Sequence, residues 1–241
     1  MHVAVLNDVH GNLPALEAVL GEVDRARPDV VLVGGDVCAG PFPREVLERL
    51  LALGPVARFV RGNGDRALLE PGGDDVESER VRWVARRLTQ ELRAFLGGLP
   101  TTLPLDVDGL GATLFCHGSP RSDEEIVTRA TPEKRLRRIL AGVDEAVVVF
   151  AHTHVQFDRA AAGKRLVNAG SVGLPYEGRA GAYWALLGPD VELRHTEYDV
   201  VRAAEEIRRT GMPGADEVAE TLLRPPTSEE ATDVFERMAR A

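Results

Sequence analysis

Val3-Ala4-Val5-Leu6-Asn7-Asp8-Val9-His10-Gly11-Asn12 is the stretch that decides the fold. Four apolar residues predict a strand over 3–6, and that strand ends abruptly in an amide, a carboxylate and an imidazole. Residues 13–26 then place Leu16, Val19, Leu20 and Val23 on one helical face, with Asn12 in the capping position. A buried strand that passes through a polar loop into an amphipathic helix is the building unit of α/β proteins.

The same unit recurs outward from this point. Strands are expected at 30–33 and 56–60, with a helix at 44–53 between them. A single charged helix is expected over 76–96, stopped by Gly97, Gly98 and Pro100. Residues 103–107 and 112–116 read as a hairpin across Asp108-Gly109, followed by a helix at 131–140 and a strand at 146–150. Shorter strands are expected at 156–160, 165–168, 182–187 and 191–197. The remainder is helical and acidic, broken at Met212-Pro213-Gly214 and at Pro225-Pro226.

The 241 residues are 44% hydrophobic and 28% charged, a composition that excludes global disorder. The longest apolar runs, such as 146–151, fall well short of the ~20 residues that span a bilayer, so no membrane partner is expected. No basic segment and apolar core precede the first strand, which predicts no secretory signal and a cytoplasmic location. Two cysteines, Cys38 and Cys116, exclude a disulfide framework and a four-cysteine zinc site. A net charge of -9 argues against strong nucleic-acid binding.

Five of the predicted strands end in residues of one chemical type. They are followed by Asp8-x-His10, Gly35-Asp36, Gly62-Asn63-Gly64-Asp65, His117-Gly118 and His152-x-His154. Loops at strand carboxyl ends converge on one edge of a sheet, where α/β proteins gather their chemistry. Any one of these signals alone is more often a turn or a cap, as Gly-Asp after a strand commonly is. Five together, each closing its own strand, point to metal. Carboxylate, imidazole and amide oxygen suit Mn, Fe, Co, Ni or Zn. Asp8, His10, Asp36, Asn63, His117, His152 and His154 exceed the needs of one tetrahedral ion. They fit a pair of divalent ions sharing a carboxylate, an arrangement suited to in-line phosphoryl displacement.

In this order the motifs resemble those of the calcineurin-like metallophosphoesterases, and within them the small bacterial cytoplasmic phosphodiesterase and phosphatase branch. The resemblance covers about residues 1–200 and extends to His117-Gly118-Ser119-Pro120 and to Asn168-Ala169-Gly170-Ser171-Val172-Gly173. It implies a four-layer αββα sandwich of two mixed β-sheets, α/β (α+β) in class. Residues 1–200 would form the phosphoesterase domain, and 201–241 a helical acidic extension of that domain. It also implies one ion on Asp8, His10 and His154, another on Asn63, His117 and His152, with Asp36 bridging. A hydroxide between the ions would attack the phosphodiester, or phosphomonoester, of a small nucleotide-like substrate. Two such ions would bring the formal charge to about -5 and make the pocket electropositive.

Three positions depart from the family pattern. Gly64 stands where a histidine that assists the leaving oxygen is common, Ala151 where Gly is usual, and Ala169 where Pro is usual. Acid assistance is worth about 10²–10⁴-fold, so Gly64 predicts a preference for diesters with good leaving groups. Asp65 reads either as a group that orients a ligand or as a cap. Asn12, Asn63, Cys38 and Ser171 are candidate substrate contacts, and Arg61 and Arg66 flank the third motif.

Two readings of other classes compete. Ala169-Gly170-Ser171-Val172-Gly173, with Asp190 and His195 downstream, is one residue from a serine-hydrolase elbow, but no helix pattern follows Ser171. A non-catalytic scaffold on the same fold would be free to lose its ligands, whereas every ligand position here is filled.

Overall fold

The computed structural model describes residues 1–70 and 76–240. The strands are β1 (Val3–Leu6), β2 (Val30–Val33), β3 (Ala57–Phe59), β4 (Thr102–Val107), β5 (Gly111–Cys116), β6 (Val147–Phe150), β7 (Phe157–Ala161), β8 (Lys164–Asn168), β9 (Ala182–Leu187) and β10 (Val191–Thr196). They form two five-stranded mixed sheets, β10-β9-β1-β2-β3 and β4-β5-β6-β8-β7. In the first sheet β1, β2 and β3 run parallel, and in the second β5, β6 and β8 do.

Strand composition explains the stacking. Alternate residues of β1 and β2 face opposite ways, and both sets are apolar, as strands covered on both faces require. Val3, Val5, Val30 and Leu32 join Phe115, Val147, Val149 and Val167 in an inter-sheet core. Ala4, Leu6, Val31 and Val33 face the outer core on the helix side. Burying each large aliphatic side chain contributes roughly 1.5–3 kcal/mol.

The helices are α1 (Leu13–Ala26), α2 (Pro43–Leu51), α3 (Asn63–Ala67), α4 (Val76–Ala85), α5 (Gln90–Gly97), α6 (Glu133–Ile139), α7 (Val200–Arg209), α8 (Ala215–Leu223) and α9 (Ser228–Met238). Leu16, Val19 and Leu20 of α1 and Val46, Leu47 and Leu50 of α2 pack on the first sheet, and Leu136 and Ile139 of α6 on the second. The result is the four-layer sandwich.

Two differences from the sequence reading have local causes. The helix expected over 76–96 is two helices, because Thr89 caps α5 with its hydroxyl, which accepts from the Leu92 N–H at 3.3 Å. The five-residue α3 was not expected, since Asn63-Gly64-Asp65-Arg66-Ala67 carries no apolar periodicity. The acidic tail is packed: Ala204 and Ile207 of α7 and Ala215, Ala219 and Leu222 of α8 belong to the outer core of the first sheet. Among the described residues no helix is long and apolar enough to cross a membrane.

Candidate metal centre

Parallel strands of both sheets bring their carboxyl ends to one edge, and polar side chains fasten the sheets together there. Asn7, at the end of β1, donates from Nδ2 to the carbonyl of Phe150 at the end of β6, 2.9 Å away. Asp8 therefore meets the β6 loop, and its Oδ2 accepts the backbone N–H of His152 at 3.0 Å. Ser171 donates from Oγ to the Asp8 carbonyl at 2.7 Å, which fixes the same turn from a third side.

The loops that carry the candidate ligands are bent into an unusual conformation. Seven described non-glycine residues have positive φ, and five of them are Asp8, His10, Asp36, His152 and His154, at 45–68°. Such backbone costs roughly 1–2 kcal/mol per residue, least for Asp, Asn and His. It persists because neighbouring groups lock it: Asp8 N–H donates to Gly35 O at 3.1 Å and His10 N–H to Asp36 O at 2.8 Å. The bends turn these side chains toward one point.

Two groups of donors form there, Asp8 with His10 and His154, and Asp8 with Asp36 and His117. Within each, the ligand atoms lie within 4.8 Å of one another. Asp36 spans the two, with Oδ2 3.8 Å from His10 Nε2 and Oδ1 3.5 Å from His117 Nε2. Asn63 Oδ1 sits 3.0 Å from His117 Nε2.

Ring orientation tests whether this set suits a cation. His10 Nδ1 faces Ala39 O at 3.2 Å, His117 Nδ1 faces Gly34 O at 2.9 Å, and His154 Nδ1 faces Leu174 O at 2.6 Å. A carbonyl only accepts, so each Nδ1 carries a proton, and each ring, when neutral, presents a bare Nε2 inward. His10 Nε2 and His154 Nε2 then face each other at 3.0 Å with no hydrogen between them. Two lone pairs at that distance repel unless a cation or a shared proton lies between them. The donor set fits divalent metal, and the backbone carbonyls orient the rings as metal-site partners do.

The protonation states of Asp8 and His10 agree. Burial alone would raise the Asp8 carboxyl, but His154, His117 and His10 bring it down to about 2, so it is ionised at neutral pH. Burial, then His154, lowers His10 and keeps it neutral. His117 goes the other way: burial lowers it, but Asp36 and Asp8 outweigh that and raise it above the usual histidine range.

A family model for the calcineurin-like phosphoesterase superfamily domain matches residues 1–188. The chain belongs to this superfamily. Among solved structures, a metallophosphoesterase from Sphaerobacter thermophilus has a TM-score of 0.77 and 27% identity, covering 93% of this chain and 98% of that one. An uncharacterized protein of Methanocaldococcus jannaschii is 26% identical over 239 residues, 88% of this chain and 93% of its own length. The symmetrical bis(5'-nucleosyl)-tetraphosphatase of Yersinia enterocolitica is 41% identical over 71 residues, which span 29% of this chain and 24% of that enzyme.

Other candidate residues of this superfamily member are placed more sharply than the sequence allowed. His152 is near the cluster but outside both donor groups. Its ring lies 5.2 Å from that of His117 and 6.3 Å from that of Phe235 on α9. Asp65 is fully buried and accepts from Val37, Gly62 and Cys38 N–H at 2.9, 3.1 and 3.3 Å. It caps α3 and ties the Asp36 loop to Asn63, touching no histidine. Burial and the nearby Asp36 charge push its carboxyl up to about 7.

A cleft of about 220 Å³ opens over the cluster, lined by His10, Asp36, Asn63 and His154 at its floor. Cys38 does not reach it: the side chain is fully buried in the helix-side core, and burial, then Asp65 and Asp36, holds the thiol protonated. Ser171 is equally buried, donating to Asp8 and accepting from the Leu174 N–H at 2.8 Å. It has no free hydroxyl for nucleophilic attack or substrate contact. Asp190 pairs with Arg165 and His195 faces the Ala180 carbonyl, so no serine triad exists. Asn12 borders the cleft with its amide engaged, Oδ1 accepting from Ala15 N–H and Nδ2 donating to Gly173 O. Arg66 is paired with Asp123 and Glu124.

Gly64 has a structural reason. A Cβ there would lie 2.9 Å from Asp36 Oδ1 and 3.0 Å from Ala39 Cβ, while the Gly64 N–H donates to Asp36 Oδ1 at 2.7 Å. A side chain at 64 would press on the carboxylate that spans the two donor groups.

The sequence reading missed the cleft's other wall, formed by Glu77, Arg80, Tyr176, Ile207, Met212 and Val218. The apolar spacing of α7 gave a signal that the tail packs, but no signal that its end borders the site.

Proposed function

We propose that the protein is a dinuclear, metal-dependent phosphoesterase that hydrolyses phosphodiesters, and secondarily phosphomonoesters, of small nucleotide-like substrates. The observation that carries this reading is the pair of donor groups joined by Asp8 and Asp36, with three imidazoles locked Nε2-inward by backbone carbonyls. Asp8, His10 and His154 would hold one ion, and Asn63, His117 and His152 the other, with Asp36 between them. Mn, Fe, Co, Ni and Zn all suit this donor set. When bound, such ions supply Lewis acidity toward phosphoryl oxygens and acidify coordinated water.

The chain's own residues prepare the site for that chemistry. Asp8 is ionised and His10 neutral near pH 7, so neither must lose a proton for the site to be competent. The Gly64 N–H holds Asp36 Oδ1 in position. Asp65 fixes the separation between the Asp36 and Asn63 loops through its three N–H contacts. Gly64 supplies no side-chain acid, which favours esters whose leaving group departs without a proton. A cytoplasmic location goes with this reading and accords with two buried, unpaired thiols.

The test is hydrolysis of bis(p-nitrophenyl) phosphate by protein stripped of metal and then resupplied with Mn or a related ion. Activity should vanish on stripping and return on resupply. Full activity in the stripped protein would overturn the proposal.

A further inference from the structure

The far wall of the cleft carries one cation. Arg80, on α4, is the only arginine or lysine among the described residues that line the cavity above His10, Asp36 and His154. Its side chain is 21% exposed, and its Nε donates to the Pro213 carbonyl at 3.1 Å, so the connection between α7 and α8 holds it in place. Gly214 leaves the space it occupies: a Cβ there would lie 2.2 Å from an Arg80 terminal nitrogen.

The terminal nitrogens are only loosely engaged. One lies 3.3 Å from Glu77 Oε2 and the other 3.5 Å from Glu217 Oε2, and those side chains are 71% and 77% exposed. Ion pairs of that kind contribute little and are readily exchanged for a better partner. Tyr176 connects this wall to the floor, stacking on His154 with centroids 4.7 Å apart and rings 22° from parallel. The rest of the cleft lining includes apolar Leu174, Ile207, Met212 and Val218, with Glu77 as the one carboxylate outside the donor groups among the described residues.

We propose that Arg80 binds a second phosphate of the substrate, next along from the one being hydrolysed. The preferred substrates are then small phosphoesters carrying two or more phosphates. This rests on the phosphoesterase reading above and adds the substrate class. A guanidinium matches phosphate oxygens with parallel N–H donors, and a phosphate brings more charge to it than either exposed glutamate can deliver in water. The cleft is too small for a long polyanion, and among the described residues no other lysine or arginine lines it to hold one.

The test uses AMP and ADP as competitive inhibitors of bis(p-nitrophenyl) phosphate hydrolysis by the metal-loaded full chain, at fixed free-ion concentration. ADP should inhibit the unaltered protein about tenfold more tightly than AMP, the value of one charge-assisted contact. Arg80→Gln should weaken ADP by about ten- to a hundredfold and AMP by less than about threefold, with Arg80→Lys between the two. Glu217→Gln removes a competing carboxylate from an exposed position and should tighten ADP, which keeps the test decisive if Arg80→Gln misfolds. Equal weakening of both nucleotides by Arg80→Gln, or ADP binding unmoved by either variant, would overturn the proposal. Hydrolysis that persists with an unchanged ADP-to-AMP ratio counts against Arg80 alone. Absence of metal-dependent hydrolysis brings down the phosphoesterase reading and this proposal with it.

Discussion

The two donor groups at the sheet edge are built to different degrees of completion. Asp8, His10 and His154 are all in place, with both imidazoles anchored through Nδ1 and their Nε2 atoms 3.0 Å apart. In the second group His117 is anchored in the same way, but His152 stands outside, with no side-chain hydrogen bond among the described residues and its ring against His117 and Phe235. The difference lies in which loop supplies the carbonyl. Ala39 and Leu174 come from loops packed over the cleft, whereas nothing equivalent reaches the His152 ring. In the proposed dinuclear reading the first site is rigid and the second adaptable, because an orienting partner fixes both the tautomer and the direction of the ring.

The harshest way to break the comparison is at the residue both groups share. Asp8→Asn should abolish binding at both and lower hydrolysis by about a thousandfold or more, as loss of central charge stabilisation does. Isothermal titration with Mn alongside the aryl-diester assay would check it, and survival of one tight site would show that the groups do not share Asp8.

Next come the single histidines. His10→Ala should remove the tighter site, while His152→Ala should leave it within about tenfold of its original affinity and weaken only the second. Equal loss of the tighter site in both variants would erase the distinction.

pH separates the groups more gently. His10 is lowered by burial and His154, so its ring is already neutral near pH 7. His117 is raised by Asp36 and Asp8 over the effect of burial, so its proton must leave before a cation can bind. The second affinity should therefore climb as pH rises through the elevated His117 pKa, and more steeply than the contribution of His10 to the first. In metal-free protein the same protonated His117 stabilises the fold at low pH, and this contribution is lost as pH rises through its elevated pKa. Asp8 acts in the opposite sense: its contribution is complete above the ordinary 3.8 and is lost as pH falls toward about 2.

The smallest effect is structural. Ser171→Ala leaves the Leu174 N–H without its acceptor and the Asp8 carbonyl without its donor, and should cost about 1–3 kcal/mol in thermal or urea unfolding. A retained hydroxyl role in catalysis would instead show as lost turnover at unchanged stability.

Much of this was readable from particular residues. Strands such as Val30–Val33 are apolar on both faces because both faces are covered, so burial wrote them directly into the sequence. The polar residues that end those strands stand out because nothing in a core accounts for them. Arg80 was not readable: it lies in a helix crowded with charges, and only the fold shows that the Pro213 carbonyl turns it into the cleft. Cys38 and Ser171 were misplaced for a related reason. Loop position suggested access to substrate, whereas packing buries both side chains completely.

The central claim is that two ions of unequal affinity make this chain a phosphoesterase. The most direct measurement titrates stripped protein with Mn while binding and hydrolysis of bis(p-nitrophenyl) phosphate are followed together. The account predicts two equivalents bound, the first tight and nearly silent, with turnover rising as the second fills. Turnover without metal, or turnover complete at one equivalent, would contradict it.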